Sequence, residues 1–214
     1  HDRLAVRSGH GVGKSALLAW VILWWILTRY PAKAACTANT STQLHDVLWG
    51  ELDLWYRKLP EGMKELLELK ADYLVLKEDP KQSFAVARTA RKEQPEAFQG
   101  YHSPNMLFIA DEASGVDDII FEVGRGAMSS KGAKTVITGN PTRTSGYFYN
   151  AFHSMKAFWK TMHVPCSTST RGPTGRARRC GSTTATRTSA SRRGSSSTRR
   201  APPSRGCGRW RTSR

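Results

Sequence analysis

Residues Ser8-Gly9-His10-Gly11-Val12-Gly13-Lys14-Ser15 constrain this chain more than any other stretch. A short apolar run, Leu4-Ala5-Val6, precedes them, and a long apolar run starting at Ala16 follows. That is the setting of a strand that turns through a glycine loop into a helix. Glycine lets the backbone curl so that successive N–H groups point at one anion. A helix starting near Lys14 adds its free N–H groups and the positive end of its dipole. Ser8, Gly9, His10, Gly11, Val12, Gly13, Lys14 and Ser15 therefore read as a cradle for the phosphates of a nucleoside triphosphate, with Lys14 on the β- and γ-phosphates and the Ser15 hydroxyl on Mg²⁺. The pattern G-x-x-x-x-G-K-[ST] has glycine where this chain has Ser8, with Gly9 beside it. A glycine turn that merely caps a helix is the plainer alternative; strand, loop, lysine and helix in one run argue against it.

The length of 214 residues allows one domain with a sizeable core, or one domain plus a tail. The net charge of +16 suggests nucleic acid, yet 13 of the 33 Lys and Arg lie between Arg171 and Arg214, where no residue is acidic. The remainder carries 20 basic against 17 acidic residues, so overall charge says little about DNA. Cys36, Cys166, Cys180 and Cys207 fit neither metal-ligand spacing nor a disulfide framework, which suits a reducing, cytoplasmic setting. The run ALLAWVILWWIL, Ala16 to Leu27, holds three tryptophans in 12 residues. A membrane span needs about 20, so this is expected to be a helix buried on most of its sides. No signal peptide is expected, and a first residue of His1 reads as a fragment or a processed start.

After this helix, which Tyr30-Pro31 ends, a strand is predicted at Ala34 to Ala38. A helix capped by Thr40 or Ser41 follows to about Tyr56, with Leu44, Val47, Leu48, Leu52 and Trp55 at helical spacing. Pro60 starts a short helix carrying Met63, Leu66 and Leu67. Tyr73–Leu76 and Phe84–Ala87 read as paired strands around Asp79-Pro80. Strands at Met106 to Ala110, Thr135 to Thr138 and Phe158 to Val164 alternate with helices at Asp118 to Met128 and Gly146 to Met155. Near-continuous apolar strands alternating with helices argue a mostly parallel sheet covered on both faces. The expected fold is α/β, a P-loop NTPase of the RecA-like (ASCE) type over residues 1–166, followed by a disordered tail.

Leu107-Phe108-Ile109-Ala110-Asp111-Glu112 is an apolar strand ending in two carboxylates, as a Walker B element requires: Asp111 supports Mg²⁺, and Glu112 polarises the attacking water. Thr138-Gly139-Asn140-Pro141 closes the next strand. An amide there can sense the γ-phosphate and pass that state onward; a plain Asn-Pro turn is the alternative.

With SGHGVGKS, LFIADEASGV and TGNPTRTSGYFY in this order and spacing, the chain resembles the ATPase domain of the tailed-phage terminase large subunit over about residues 3–171, including EAFQGYH before the second motif. The resemblance implies an ATP-driven motor that threads double-stranded phage DNA through a portal protein into a preformed capsid. It also implies a homo-oligomeric ring, a terminase small subunit as partner, and a site of action in the bacterial cytoplasm with no membrane. Family members carry a second, RNase H-like nuclease domain, which has no counterpart here. The resemblance aligns Ser8 to Ser15 with the Walker A loop, Asp111 and Glu112 with Walker B, and Thr138, Gly139 and Asn140 with the coupling motif. An arginine also completes the family's ATP site; Arg7 is the first candidate, with Arg88 and Arg91 behind it. Gln43 is a weaker candidate for DNA or nucleotide contact. His10 is expected to matter through its backbone, not its ring. A helicase-like or transposition-associated ATPase, or a truncated remnant that only binds ATP, remain the rival readings.

Of the 44 residues from Arg171 to Arg214, 41 are Arg, Ser, Thr, Gly, Ala or Pro, so no apolar face can be drawn and no packed core built there. A basic tail held to nucleic acid by counterion release is one reading. The preferred one is a GC-rich coding sequence read out of frame. Synonymous codons from Gly172 onward can be chosen so that the frame two nucleotides later encodes an amphipathic, acid-containing peptide. Sequencing the source DNA across this junction is expected to reveal one missing or extra nucleotide between the codons for Ser167 and Gly172; an uninterrupted frame in independent reads refutes it.

Overall fold

The computed structural model describes residues 2–89 and 101–165. In chain order the elements are β1 (Arg3–Ser8), α1 (Lys14–Thr28), β2 (Ala32–Ala38), a π-helical stretch (Gln43–Trp49), α2 (Gly50–Arg57), α3 (Glu61–Lys64), β3 (Leu67–Leu69), β4 (Tyr73–Leu76), β5 (Phe84–Ala87), β6 (Asn105–Asp111), a 3₁₀ turn (Ala113–Gly115), α4 (Asp118–Ala127), β7 (Lys134–Gly139), α5 (Tyr147–Phe152) and β8 (Lys160–Val164). The strands form one sheet in the order β3-β4-β5-β2-β6-β7-β1-β8. From β5 to β8 every pairing is parallel; β3 and β4 add an antiparallel edge.

This order positions the site. Strand β7 lies between β6 and β1, in register through Ala110↔Ile137 on one side and Val6↔Thr138 on the other. The carboxyl ends of the three strands are therefore level, and neighbours in a sheet are only about 4.8 Å apart. Ligands of open α/β sheets bind at this edge.

Alternation along each strand sends successive side chains to opposite faces. Leu107, Ile109 and Val136 join a core built with α1, the π-helical stretch and α2, whose largest buried members include Leu18, Ile22, Ile26, Leu48 and Leu52. Ala5, Phe108, Ala110 and Ile137 face the other way, into a core completed by Phe121 and Phe148 from α4 and α5. The expected parallel sheet with two covered faces is the observed one, and Tyr73–Leu76 and Phe84–Ala87 pair as expected.

Several local expectations are corrected. The helix after Pro60 stops at Lys64; Leu67 is fully buried and pairs with Leu76, so this segment becomes an edge strand. Thr40 does cap the next helix, its Oγ1 accepting from Gln43 N at 3.1 Å, but the first turns are π-helical. The wider i→i+5 winding brings Leu44, Leu48 and Trp49 inward and leaves Val47 exposed. Helix α5 ends at Phe152, and Phe158 sits exposed in a 3₁₀ turn ahead of β8. Helix α1 is not buried on most sides: Trp20 and Trp24 are 47% and 52% exposed. They are partnered across that surface, Trp20 edge-on to Trp55 at 4.8 Å and Trp24 beneath the Arg29 guanidinium at 3.9 Å. No helix among the described residues is long and apolar enough to cross a membrane. The expectations for Arg91 and for the tail from residue 167 lie outside the described residues.

Ile22, at 0% exposure, sits where α1 meets the sheet. Ile22→Ala is expected to lower unfolding stability by about 2–5 kcal/mol, read as a fall in the urea midpoint at unchanged m-value.

Candidate functional site

Strand β1 ends at Ser8, whose side chain is buried and whose Oγ donates to Gly9 O at 3.1 Å. The chain then turns through Gly11 and Gly13, with φ of 72° and 86°, a left-handed geometry that costs other residues about 1–2 kcal/mol each. Gly13 caps α1, and Leu17 N closes the first helical bond on Gly13 O at 3.0 Å. The N–H groups of the first turn therefore stay free for an anion.

Lys14 begins α1 with its side chain only 8% exposed. Its ammonium donates to Gly9 O at 3.0 Å and to Asn140 Oδ1 at 2.9 Å, and lies 3.6 Å from Glu112 Oε1. One residue on, Ser15 Oγ donates to Asp111 Oδ2 at 3.1 Å. Asp111 is buried, and its other oxygen accepts from Thr138 Oγ1 at 2.7 Å. Asp111 follows Leu107 and Ile109 on the face that packs α1, and Thr138 follows Val136 on the same face. This alternation brings the two side chains together.

Glu112 leaves β6 in a left-handed conformation, φ 46° and ψ 44°, the one non-glycine residue with positive φ among the described residues. Backbone strain of this kind gathers at functional sites. Its Oε2 accepts from Asn140 N at 3.3 Å. Gly139 allows the β7 end to approach: a Cβ there would stand 3.1 Å from Ala113 N.

The structure thus brings together Lys14, Ser15, Asp111, Glu112, Thr138 and Asn140, as the sequence motifs anticipate. It does not bring Arg7 to them. Arg7 shares a face of β1 with Ala5, on the α4–α5 side, and its guanidinium lies over the Phe152 ring at 5.0 Å. Arg88 donates to the Tyr73 hydroxyl at 2.7 Å, on the surface. Gln43 Oε1 is buried with no hydrogen-bond partner. Cys36 is fully buried, and desolvation pushes its thiol far above the ordinary range, which makes it inert. The His10 ring lies beside Asn140, whose Nδ2 is 3.0 and 2.9 Å from its two nitrogens. No local signal in the sequence announces a contact across 130 positions.

The arrangement has the chemistry of a phosphate site: a buried cation, free helix N–H groups, and a hydroxyl with a carboxylate as hard oxygen donors. Mg²⁺ takes one or two carboxylates plus substrate phosphates and keeps several waters, so Ser15 and Asp111 fit it. No group of three or more His, Cys, Asp or Glu among the described residues could hold a metal, so substrate oxygens and water would complete its shell.

A family model described as terminase large subunit, T4likevirus-type, N-terminal, matches residues 7–193. A probable terminase large subunit of Enterobacteria phage P7 is 29% identical over 155 residues, which is 71% of this chain and 31% of that protein. The chain therefore spans less than a third of that relative. The large-terminase ATPase domain of Thermus phage P74-26 superposes with a TM-score of 0.56 at 15% identity, covering 76% of this chain and 75% of that one. A large terminase from a thermophilic bacteriophage, in complex with ADP, gives 0.58 at 16% identity, covering 77% and 40%. At these identities the two structures establish the shared fold.

Thr138 holds Asp111 from the buried side. Thr138→Val removes one of the two donors to Asp111 Oδ1, leaving only Glu112 N at 3.0 Å, and is expected to cost about 1 kcal/mol. Thr138→Ser should recover most of that loss in urea denaturation.

Proposed function

The chain belongs to the T4-like family of terminase large subunits, and from that premise we propose that it carries the ATP-hydrolysing motor domain that drives double-stranded phage DNA into a preformed capsid. The observation that supports this most is the convergence of Lys14, Ser15, Asp111, Glu112 and Asn140 on one sheet edge. We assign the ATPase domain to residues 1–166, acting in the host cytoplasm at the portal, with the terminase small subunit and further copies of the chain in a ring as partners.

In this reading the loop from Ser8 to Ser15 wraps the ATP phosphates. Lys14 exchanges its contacts with Asn140 and Glu112 for β- and γ-oxygens, since a phosphate offers the same negatively charged acceptors. Ser15 and Asp111 would hold Mg²⁺, which when bound neutralises charge on the phosphates. Release from Lys14 frees the Glu112 carboxylate to orient a water for attack on the γ-phosphorus; the water oxygen bonds to phosphorus as the bond to the β–γ bridging oxygen breaks, the water's proton ends on the released phosphate, and ADP and inorganic phosphate are the products. Thr138, Gly139 and Asn140 sense the terminal phosphate from the end of β7. Catalysis is then mostly positioning and charge stabilisation.

Arg7, the first candidate for the completing arginine, is engaged by Phe152 on the opposite face. We infer that a neighbouring subunit supplies that charge, and that ring assembly and turnover are linked.

Lys14→Ala is expected to abolish ATP binding and turnover together. Glu112→Gln should abolish turnover, by about 10²-fold or more, while ATP binding stays near the wild-type level. Equal loss of binding in both variants would refute this division of roles. If the arginine comes from a neighbour, specific ATPase activity climbs with protein concentration; constant specific activity would place it within one chain, and none at any concentration would mark a remnant.

A further inference from the structure

Of the arginines among the described residues, all but one are engaged or stand away from the phosphate edge. Arg3 opens β1 and Arg125 lies in the last turn of α4, both toward the amino ends of the strands. Arg29 follows α1 and lies over the Trp24 and Trp25 rings at 3.9 and 4.0 Å. Arg57 pairs with Asp53 at 2.6 Å, Arg88 donates to the Tyr73 hydroxyl, and Arg7 lies over Phe152. Arg143 differs. It is exposed, it follows Asn140 in the loop after β7, and among the described residues it has no hydrogen-bond, ion-pair or ring partner. The loop that carries it is tied on both sides. Thr142 Oγ1 donates to Ser114 Oγ at 3.0 Å and Thr142 N to Asn140 O at 2.8 Å; beyond Arg143, Tyr147 N donates to Asp118 Oδ1 at 2.7 Å. These ties hold Arg143 on the α4–α5 side, where it lines a small cleft with Ser114, Asp118 and Tyr149. Lys14 begins α1, which covers the other side of the sheet. The ends of β1 and β7 are level, so within one chain Arg143 stands at the height of the phosphate loop but is turned away from it.

We propose that Arg143 is the arginine a neighbouring copy supplies: it reaches the γ-phosphate bound in the next chain's phosphate loop and stabilises the charge that builds as the β–γ bridge breaks. The proposal rests on the nucleotide and ring reading above and names the residue which that reading leaves open. A head-to-tail contact sets one face of a chain against a different face of the next. An arginine serving it must stand at the carboxyl edge, on the side away from its own Lys14, with its guanidinium unspent; Arg143 meets all three conditions. A guanidinium is a planar fork that matches two phosphate oxygens. It makes and breaks no bond itself, so its effect falls on the transition state, and the tied loop holds it in place beforehand. With Asn140 at its own site and Arg143 at the next, one loop joins two consecutive sites.

The test measures ATP hydrolysis by the full chain without DNA, at a concentration where wild-type specific activity no longer rises. Arg143→Ala is expected to lower turnover by about 10³-fold, with ATPγS affinity near the wild-type level and an unchanged melting temperature. Arg143→Lys, a charge without the fork, should fall between. The deciding arm mixes chains. Arg143→Ala keeps an intact site and has no arginine to give, whereas Lys14→Ala and Glu112→Gln chains keep the arginine and have no turnover of their own. Equal mixing of Arg143→Ala with one of these is expected to bring turnover back to about a quarter of wild type, since half of the sites are intact and half of their neighbours donate. A residue with only a structural role is not rescued in this way. Turnover of Arg143→Ala near wild type, a loss seen only when DNA is present, no recovery with either partner, or recovery that marks Arg91→Ala instead overturns the proposal. A wild-type chain that hydrolyses no ATP at any concentration refutes the ATPase reading itself, and this proposal with it.

Discussion

The ammonium of Lys14 is a charge almost removed from water. Such a charge is tolerable only where oxygens surround it, and here they come from three places distant in sequence: Gly9 in the loop after β1, Asn140 after β7 and Glu112 after β6. No two strands alone supply them. The sheet must therefore run β6-β7-β1, with β7 in the middle, and the ends must be level. The order also explains why Thr138 meets Asp111 and why Ser15, at the start of α1, reaches the same carboxylate. Removing one oxygen from this set leaves a buried charge short of a partner, the situation that costs most in protein interiors.

What holds those ends level is the pair of cores on either face of the sheet. One packs α1 and α2 against the side that presents Asp111 and Thr138; the other packs α4 and α5 against the side that presents Arg7 and Gly139. Chemistry and packing thus alternate along the same strands: Leu107 and Ile109 anchor the face, and the next residue in that row is Asp111. A one-residue slip of β6 would send Asp111 to the α4–α5 side and bury Glu112 in its place.

The parallel sheet, the loop and both carboxylates were legible in the sequence because each rests on local signals: apolar runs of strand length, glycines before a lysine, acids at a strand end. The segment from Leu66 to Leu69 was not, since its apolar residues suit either a short helix or an edge strand, and pairing of Leu67 with Leu76 decides between them. The exposed tryptophans of α1 were read as core because hydrophobicity alone does not reveal an Arg29 or a Trp55 covering them. Arg7 looked well placed because it abuts the loop, but strand alternation turns it to the other face. The His10 ring and Asn140 meet only once β1 and β7 are neighbours, so that contact belongs to the tertiary fold.

Helix α5 is where these constraints meet. Its Phe148 lies against Gly139 at the end of β7, its Phe152 lies beneath Arg7 at the end of β1, and its first N–H, from Tyr147, is held by Asp118 Oδ1 at 2.7 Å. Thr142, in the loop between β7 and α5, donates to Ser114 Oγ in the turn after Glu112 at 3.0 Å. The loops that carry Lys14, Glu112 and Asn140 are thus joined to one six-residue helix through close contacts on each side. Packed contacts of this density do not stretch; they hold or they exchange for another set. A shift of the β7 end would press Gly139 against the 3₁₀ turn, where a Cβ would already stand 3.1 Å from Ala113 N, and α5 would then lose one of its neighbours, Gly139 or Arg7. Under the proposed nucleotide reading, α5 is the described element that such a shift of the β7 end would disturb.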